Sequence, residues 1–126
     1  MVGIVVVSHY DKLAEGVVEL ARLMAPDARI VGAGGIGRGE FGVSFEKISS
    51  AIDEVYTDEG VIVLMDMGSA VMKTEEVIAS KKGKKIRMVD CPVAEGAVTA
   101  AILSSEGASF EDVIFAAQSS KTMQKF

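Results

Sequence analysis

The chain has 126 residues, 49% of them hydrophobic and 25% charged, enough to bury a proper core and free of any biased tract that would stay disordered. Its net charge of −5 at pH 7 argues against nucleic acid or an anionic membrane as the main partner. The single cysteine, Cys91, excludes an internal disulfide framework and a cysteine-rich metal site, and the single histidine, His9, excludes a multi-histidine metal site within one chain.

Residues 2–8 (VGIVVVS) read as a fully buried strand closed by His9. No basic stretch precedes this apolar run, and at about seven residues it is too short for a signal peptide or a membrane span, so a cytoplasmic location is expected. Residues 12–24 follow as a helix, with Leu13, Val17, Leu20 and Met24 along the face expected to meet the core. A short second strand at 29–33 leads into a glycine-rich loop at 34–42. Ser44 then stands as N-cap of a helix carrying Phe45, Ile48, Ile52 and Val55.

Residues 61–65 (VIVLM) are continuously apolar, as an interior parallel strand should be. Gly68-Ser69 turns the chain into a helix of roughly residues 70–80. A fourth strand is expected at 86–89, then Pro92 and an alanine-rich helix over about 94–105. Gly107 and Ser109 punctuate a last helix presenting Phe110, Val113, Ile114 and Ala117; residues 119–126 carry no clear signal. The run Lys81-Lys82-Gly83-Lys84-Lys85-Ile86-Arg87 reads as cations at a helix C-terminus followed by a solvated strand start. The alternation implies one α/β domain spanning 1–126: three layers, with helices on both faces of a mainly parallel central sheet.

In a parallel sheet all strands end on one edge. Here they end in Ser8-His9, Gly34-Gly35, Asp66-Met67-Gly68-Ser69 and Asp90-Cys91-Pro92, which gathers the polar and glycine-rich junctions on one rim. A neutral imidazole nitrogen attacks a phosphoryl group well when an acceptor holds the other nitrogen, and Asp66 is the candidate acceptor for His9. Gly35 and Gly68 allow close approach of backbone N–H groups to an anion, while Ser69 and Ser8 offer hydroxyl donors. Plainer roles stand beside these: Asp66 as a helix cap, Gly34 and Gly35 as turn residues, Cys91 as a small buried residue, the seven methionines as core filler.

Two other assignments fail on context. Gly32-Ala33-Gly34-Gly35-Ile36-Gly37 matches the dinucleotide fingerprint, but the next helix waits until about Ser44, and the acid about 20 residues on, Asp53, falls inside a helical pattern and not at the end of the next strand. A receiver domain phosphorylated on Asp66 would need an acidic pair after the first strand, where this chain has Ser8-His9.

The segments Ser8-His9-Tyr10-Asp11-Lys12-Leu13-Ala14-Glu15-Gly16-Val17, Gly34-Gly35, Asp66-Met67-Gly68-Ser69-Ala70 and Pro92-Val93-Ala94-Glu95-Gly96-Ala97 resemble the phosphotransferase subunits of bacterial dihydroxyacetone kinases. These are related to the IIA domain of the mannose-class sugar phosphotransferase system. The resemblance covers nearly the whole chain, its four motifs in order. It implies a mannose-type IIA fold, a homodimer, and no metal or cofactor. It also implies a carrier phosphorylated on His9 by the histidine phosphocarrier protein HPr. The phosphoryl group would pass to ADP on the nucleotide-binding kinase subunit, and the ATP formed would phosphorylate dihydroxyacetone on a third subunit, an overall phosphoenolpyruvate–glycerone phosphotransferase. A sugar-system IIA component, or a regulatory module switched by phosphorylation, are the alternatives. Where relatives read close to G-G-T-x-D-G-x-x-G-T-S, this chain places Ile36 and Val43 at the two threonines and Arg38 at the aspartate. Arg38 there offers either a new phosphate contact or a changed choice of partner.

Overall fold

A computed structural model describes residues 1–126. Four parallel strands, β1 (Gly3–Ser8), β2 (Ile30–Gly34), β3 (Val61–Met65) and β4 (Ile86–Met88), form one sheet in the order β2-β1-β3-β4. The helices are α1 (Asp11–Met24), α2 (Phe45–Val55), α3 (Val71–Ala79), α4 (Val93–Ser105) and α5 (Phe110–Ser119). β1 is interior and covered on both faces, hence its unbroken apolar run. Ile4 and Val6 join a core with residues of α1, α4 and α5. Val5 and Val7 join a second with residues of α2 and α3. The three-layer parallel architecture expected from the sequence is the one observed. No helix is long and apolar enough to cross a membrane.

The strand order creates the site. From β1 the chain moves outward to β2, then crosses back to lay β3 on the other side of β1. The carboxyl ends of β1 and β3 are therefore adjacent at the point where the order reverses, the usual location of a binding crevice in such sheets. Val7 pairs with Met65 in register, so the residues just beyond, His9 and Asp66, emerge side by side.

One expectation about α1 is corrected. Its core face is Ala14, Val17, Val18 and Ala21, whereas Leu13, Leu20 and Met24 are 43%, 48% and 58% exposed. The cause is crowding by β2. A methyl group built on Gly34 would lie 2.7 Å from the Tyr10 carbonyl oxygen, and one on Gly32 would lie 3.1 Å from the Ala14 methyl. Helix and strand approach so closely that only small or slim residues fit between them, which turns the leucines away. The same crowding explains Gly32 and Gly34, two of the three glycines that mimic a dinucleotide fingerprint.

Other boundaries shift slightly. Asp11 already belongs to α1, and β4 stops at Met88 rather than 89. The turn after β3 is a separate 3-10 segment, Gly68–Ala70, ahead of α3. Ser44 and Ser109 cap α2 and α5 by accepting from the N–H groups of Lys47 and Asp112. The tail carries a short 3-10 turn at Ser120–Thr122 and is tied back by Lys121 to Asp90 and by Lys125 to Glu95. Much of the lysine-rich segment is occupied within the chain: Lys81 pairs with Asp53, Arg87 with Glu111, and Lys84 and Lys85 lie over the Tyr56 and Phe110 rings.

Candidate functional site

His9 and Asp66 meet as the strand register requires. Asp66 Oδ1 lies 2.9 Å from His9 Nδ1. Asp66 Oδ2 accepts from the His9 backbone N–H and from the Ser8 hydroxyl, both at 3.0 Å. Asp66 caps no helix, since the start of the following turn has no side-chain cap. Burial alone would raise the Asp66 pKa, but the bonds from the His9 backbone, the His9 ring and Ser8 together outweigh it and hold the carboxyl below its ordinary value. An ionised carboxylate can only accept, so Nδ1 carries the imidazole proton and Nε2 keeps its lone pair. The Ser69 hydroxyl, 2.9 Å away, is positioned to donate to that lone pair.

The arrangement is a polarised nucleophile at an open edge. The His9 side chain is 19% and that of Asp66 10% exposed, whereas Gly68 and Ser69 beside them are exposed. The 3-10 segment that Gly68 and Ser69 open, whose first N–H groups have no partner within it, brings the Ser69 hydroxyl to Nε2.

Two hydroxyl or N–H donors offered by the sequence are spent elsewhere. The Gly35 N–H donates to the Ser8 carbonyl at 3.0 Å, so as a phosphate contact it is corrected: with φ of +69° it makes the turn out of β2. Ser8 is fully buried, its hydroxyl held between Asp66 and the Tyr10 N–H, where it steadies the carboxylate. Missed altogether was how the glycine loop is anchored. The Gly42 N–H donates to the His9 carbonyl at 2.9 Å. The Gly39 N–H reaches buried Asp11 Oδ1 at 3.3 Å, and Lys47 Nζ holds the Gly34 carbonyl at 3.0 Å. The Tyr10 and Phe41 rings stack at 4.6 Å. Nothing in the local sequence announces these contacts, because each joins segments that meet only through the fold.

Arg38 lines a groove of about 730 Å³ along the open edge of β2, among Asp11, Glu15 and Lys47, and His9 is not among the lining residues. A smaller cleft of about 410 Å³ adjoins Asp66 and Gly68 and is walled by Met65, Met67, Val71, Met88 and Cys91. Cys91 is half-buried rather than fully buried. Burial, reinforced by the negative charge of Asp90, pushes its thiol up to about 11, which keeps it protonated and poorly nucleophilic at neutral pH.

A parallel α/β sheet with a carboxylate-held histidine at its switch point defines a class of histidine-centred rim sites. The comparisons give the family. The family model described as the PTS system fructose IIA component matches residues 3–114, and the chain belongs to that family. It is 35% identical over 111 residues to the phosphotransferase subunit DhaM of the PTS-dependent dihydroxyacetone kinase of Lactococcus lactis, covering 88% of this chain and 89% of that one. It is 39% identical over 122 residues to the phosphoryl donor subunit DhaM of the PEP-dependent dihydroxyacetone kinase of Escherichia coli. That match covers 91% of this chain but only 26% of the relative, so the chain spans about a quarter of that protein. Among solved structures, EIIA of Streptococcus agalactiae superposes with a TM-score of 0.71 at 20% identity, over 96% of this chain and 92% of that one, and so shares the fold.

Proposed function

We propose that this chain is the phosphoryl-carrier subunit of a cytoplasmic phosphoenolpyruvate-dependent dihydroxyacetone kinase. His9 takes a phosphoryl group from HPr and passes it to ADP on the nucleotide-binding subunit, and the resulting ATP serves the dihydroxyacetone-binding subunit. The observation that carries this reading is the 2.9 Å contact between Asp66 Oδ1 and His9 Nδ1, which argues for the proton on Nδ1 and leaves Nε2 as the nucleophile at the open rim.

The Nε2 lone pair forms the new N–P bond as the donor's N–P bond breaks, and the donor nitrogen recovers its own pair. The ring becomes cationic, and Asp66 stabilises that charge without taking the Nδ1 proton. Ser69 releases Nε2 and turns its hydroxyl, with the Gly68–Ser69 backbone, toward the phosphoryl oxygens. In the second step a β-phosphate oxygen of ADP attacks phosphorus and Nε2 regains its pair. Positioning and charge stabilisation suffice, because phosphoryl transfer asks for little else. A sugar-system IIA component would share the first step and differ in its acceptor; the similarity to subunits named for dihydroxyacetone kinase favours the kinase. The resemblance further supports a homodimer.

Incubation with phosphoenolpyruvate, the first phosphotransferase enzyme and HPr should add one acid-labile phosphoryl group to the wild type and none to His9→Ala, by intact mass. Equal labelling of both, or of neither, overturns the assignment. Loss of the label to ADP only when the nucleotide-binding subunit is present then identifies the acceptor; transfer to a sugar-permease component instead selects the alternative.

A further inference from the structure

Helix α1 has two apolar faces, and the fold uses one. Ala14, Val17, Val18 and Ala21 meet the core, while Leu13, Leu20, Leu23 and Met24 form a second stripe left 43–75% exposed. In the middle of that stripe stands Gly16, exposed, in a helix interior, with no atom of the chain within 4 Å of where a methyl group would go. Glycine at such a position costs helix stability, and nothing within the chain requires it. Its neighbours on β2, Gly32 and Gly34, are glycines for a visible reason of close approach; Gly16 has the same chemistry with the approaching partner missing.

We propose that this stripe is the contact face of a twofold homodimer in which α1 crosses α1 of a second copy in antiparallel sense at Gly16. The proposal rests on the homodimer reading above and supplies its surface. A twofold axis at Gly16 makes the stripe complementary to itself. Leu13 lies three residues before the glycine and Leu20 four after, about 4.5 and 6 Å along the helix, so each leucine of one copy falls opposite the other kind in its partner. The flanking charges match under the same operation, since Lys12 and the partner's Glu19 come to one height on one side. Both are exposed, and neither forms an ion pair within the chain.

The four large side chains expose on the order of 400 Å² of apolar surface, about half of the roughly 800 Å² per partner buried in a standard interface. Val98 and Ile102 of neighbouring α4, both half-buried, extend the apolar surface. The groove along β2, on the other flank of α1, stays open, as does the rim that carries His9.

Sedimentation velocity over a range of concentrations tests this on three proteins. The wild type should sediment at twice the chain mass, and Leu20→Glu as a monomer with an unchanged circular dichroism spectrum. Gly16→Leu is the sharper variant: it should raise thermal stability at high dilution, by relieving the glycine cost, and yet weaken association at least tenfold by filling the crossing point. A monomeric wild type overturns the homodimer reading and this surface together. A dimer that survives both substitutions overturns the surface alone. Labelling of His9 by phosphoramidate, a small chemical donor, should be the same in all three, which keeps the phosphotransfer reading independent of either outcome.

Discussion

Replacing Asp66 by asparagine separates a positioning role from a merely structural one. The carboxylate holds three donors: the His9 N–H and the Ser8 hydroxyl on Oδ2, and the ring Nδ1–H on Oδ1. An amide has one oxygen, which can keep the first two, and an NH2 group that must then face Nδ1. Facing a donor, Nδ1 becomes the acceptor and the proton moves to Nε2, the nitrogen that must attack. The charge-assisted bond to the developing imidazolium is lost as well, a term of about 1.5–3 kcal/mol, which corresponds to about 10- to 150-fold in rate. Asp66→Asn should therefore be labelled by phosphoramidate and by HPr that much more slowly while keeping its fold. Time-resolved intact mass measures the rate. Labelling within twofold of wild type would reduce Asp66 to a strut between β1 and β3.

The same residue sets a pH dependence. Its folded pKa lies below the unfolded value of about 3.9, so its contribution to stability is complete above that value and disappears as pH falls through the lower folded one. Chemical denaturation should show the largest deficit of Asp66→Asn near neutrality and a closing gap under acid. A gap that is constant with pH would mean that ionisation is irrelevant.

The remaining predictions concern single contacts. Thr74 has a fully buried hydroxyl with no hydrogen-bond partner, so Thr74→Val should stabilise the protein by about 1 kcal/mol, a rise of a few degrees in Tm by calorimetry; a fall would reveal a partner for that oxygen. Ser69→Ala removes the donor nearest Nε2, and phosphorylated His9 should then hydrolyse about 2- to 10-fold faster; an unchanged half-life removes Ser69 from the phosphate site. Phe41 is 70% exposed and stacks on Tyr10, the residue after His9, so Phe41→Ala should raise KM for HPr about fivefold or more and leave phosphoramidate labelling alone; an equal effect on both donors would assign the ring to loop structure instead of docking.

What the sequence disclosed and what it hid divide along one physical line. Strands, helix caps and the rim were legible because each is written in local order: continuous apolar runs at 61–65, Ser44 and Ser109 three residues before the N–H groups they accept from. The His9–Asp66 pair was legible for the same reason, since both residues close strands that a parallel sheet ends on one edge. Hydrogen-bond bookkeeping was not. Ser8 and Gly35 look like free donors in the sequence and prove committed only after register joins residues far apart, as Ser8 to Asp66. The face of α1 was misread because leucine spacing suggests a core contact. Only the closeness of β2 shows that alanine and valine are what fit there.

That division also bears on the three departures in the glycine loop. The loop is held over His9 by backbone bonds, from Gly35 to Ser8 and from Gly42 to His9, and by Asp11 on the Gly39 N–H. None of these uses the side chain of residue 36, 38 or 43. Val43 rests partly buried against the core of β1, β3 and α2, Arg38 lines the β2 groove, and Ile36 is 54% exposed. Exchanging threonine and aspartate for these residues therefore leaves the polarised imidazole intact and alters what a docking protein meets. Phe41, Met67 and Met72 are also exposed, so these segments offer a docking protein an apolar collar beside the exposed charges of Arg38 and Glu40. Apolar contact of this kind depends little on salt, whereas recognition through a charged loop weakens as ionic strength rises. The KM for HPr should then change less than about twofold between low and physiological salt, by initial-rate labelling. A steep rise would show that Arg38 and its charged neighbours, and not the collar, govern docking.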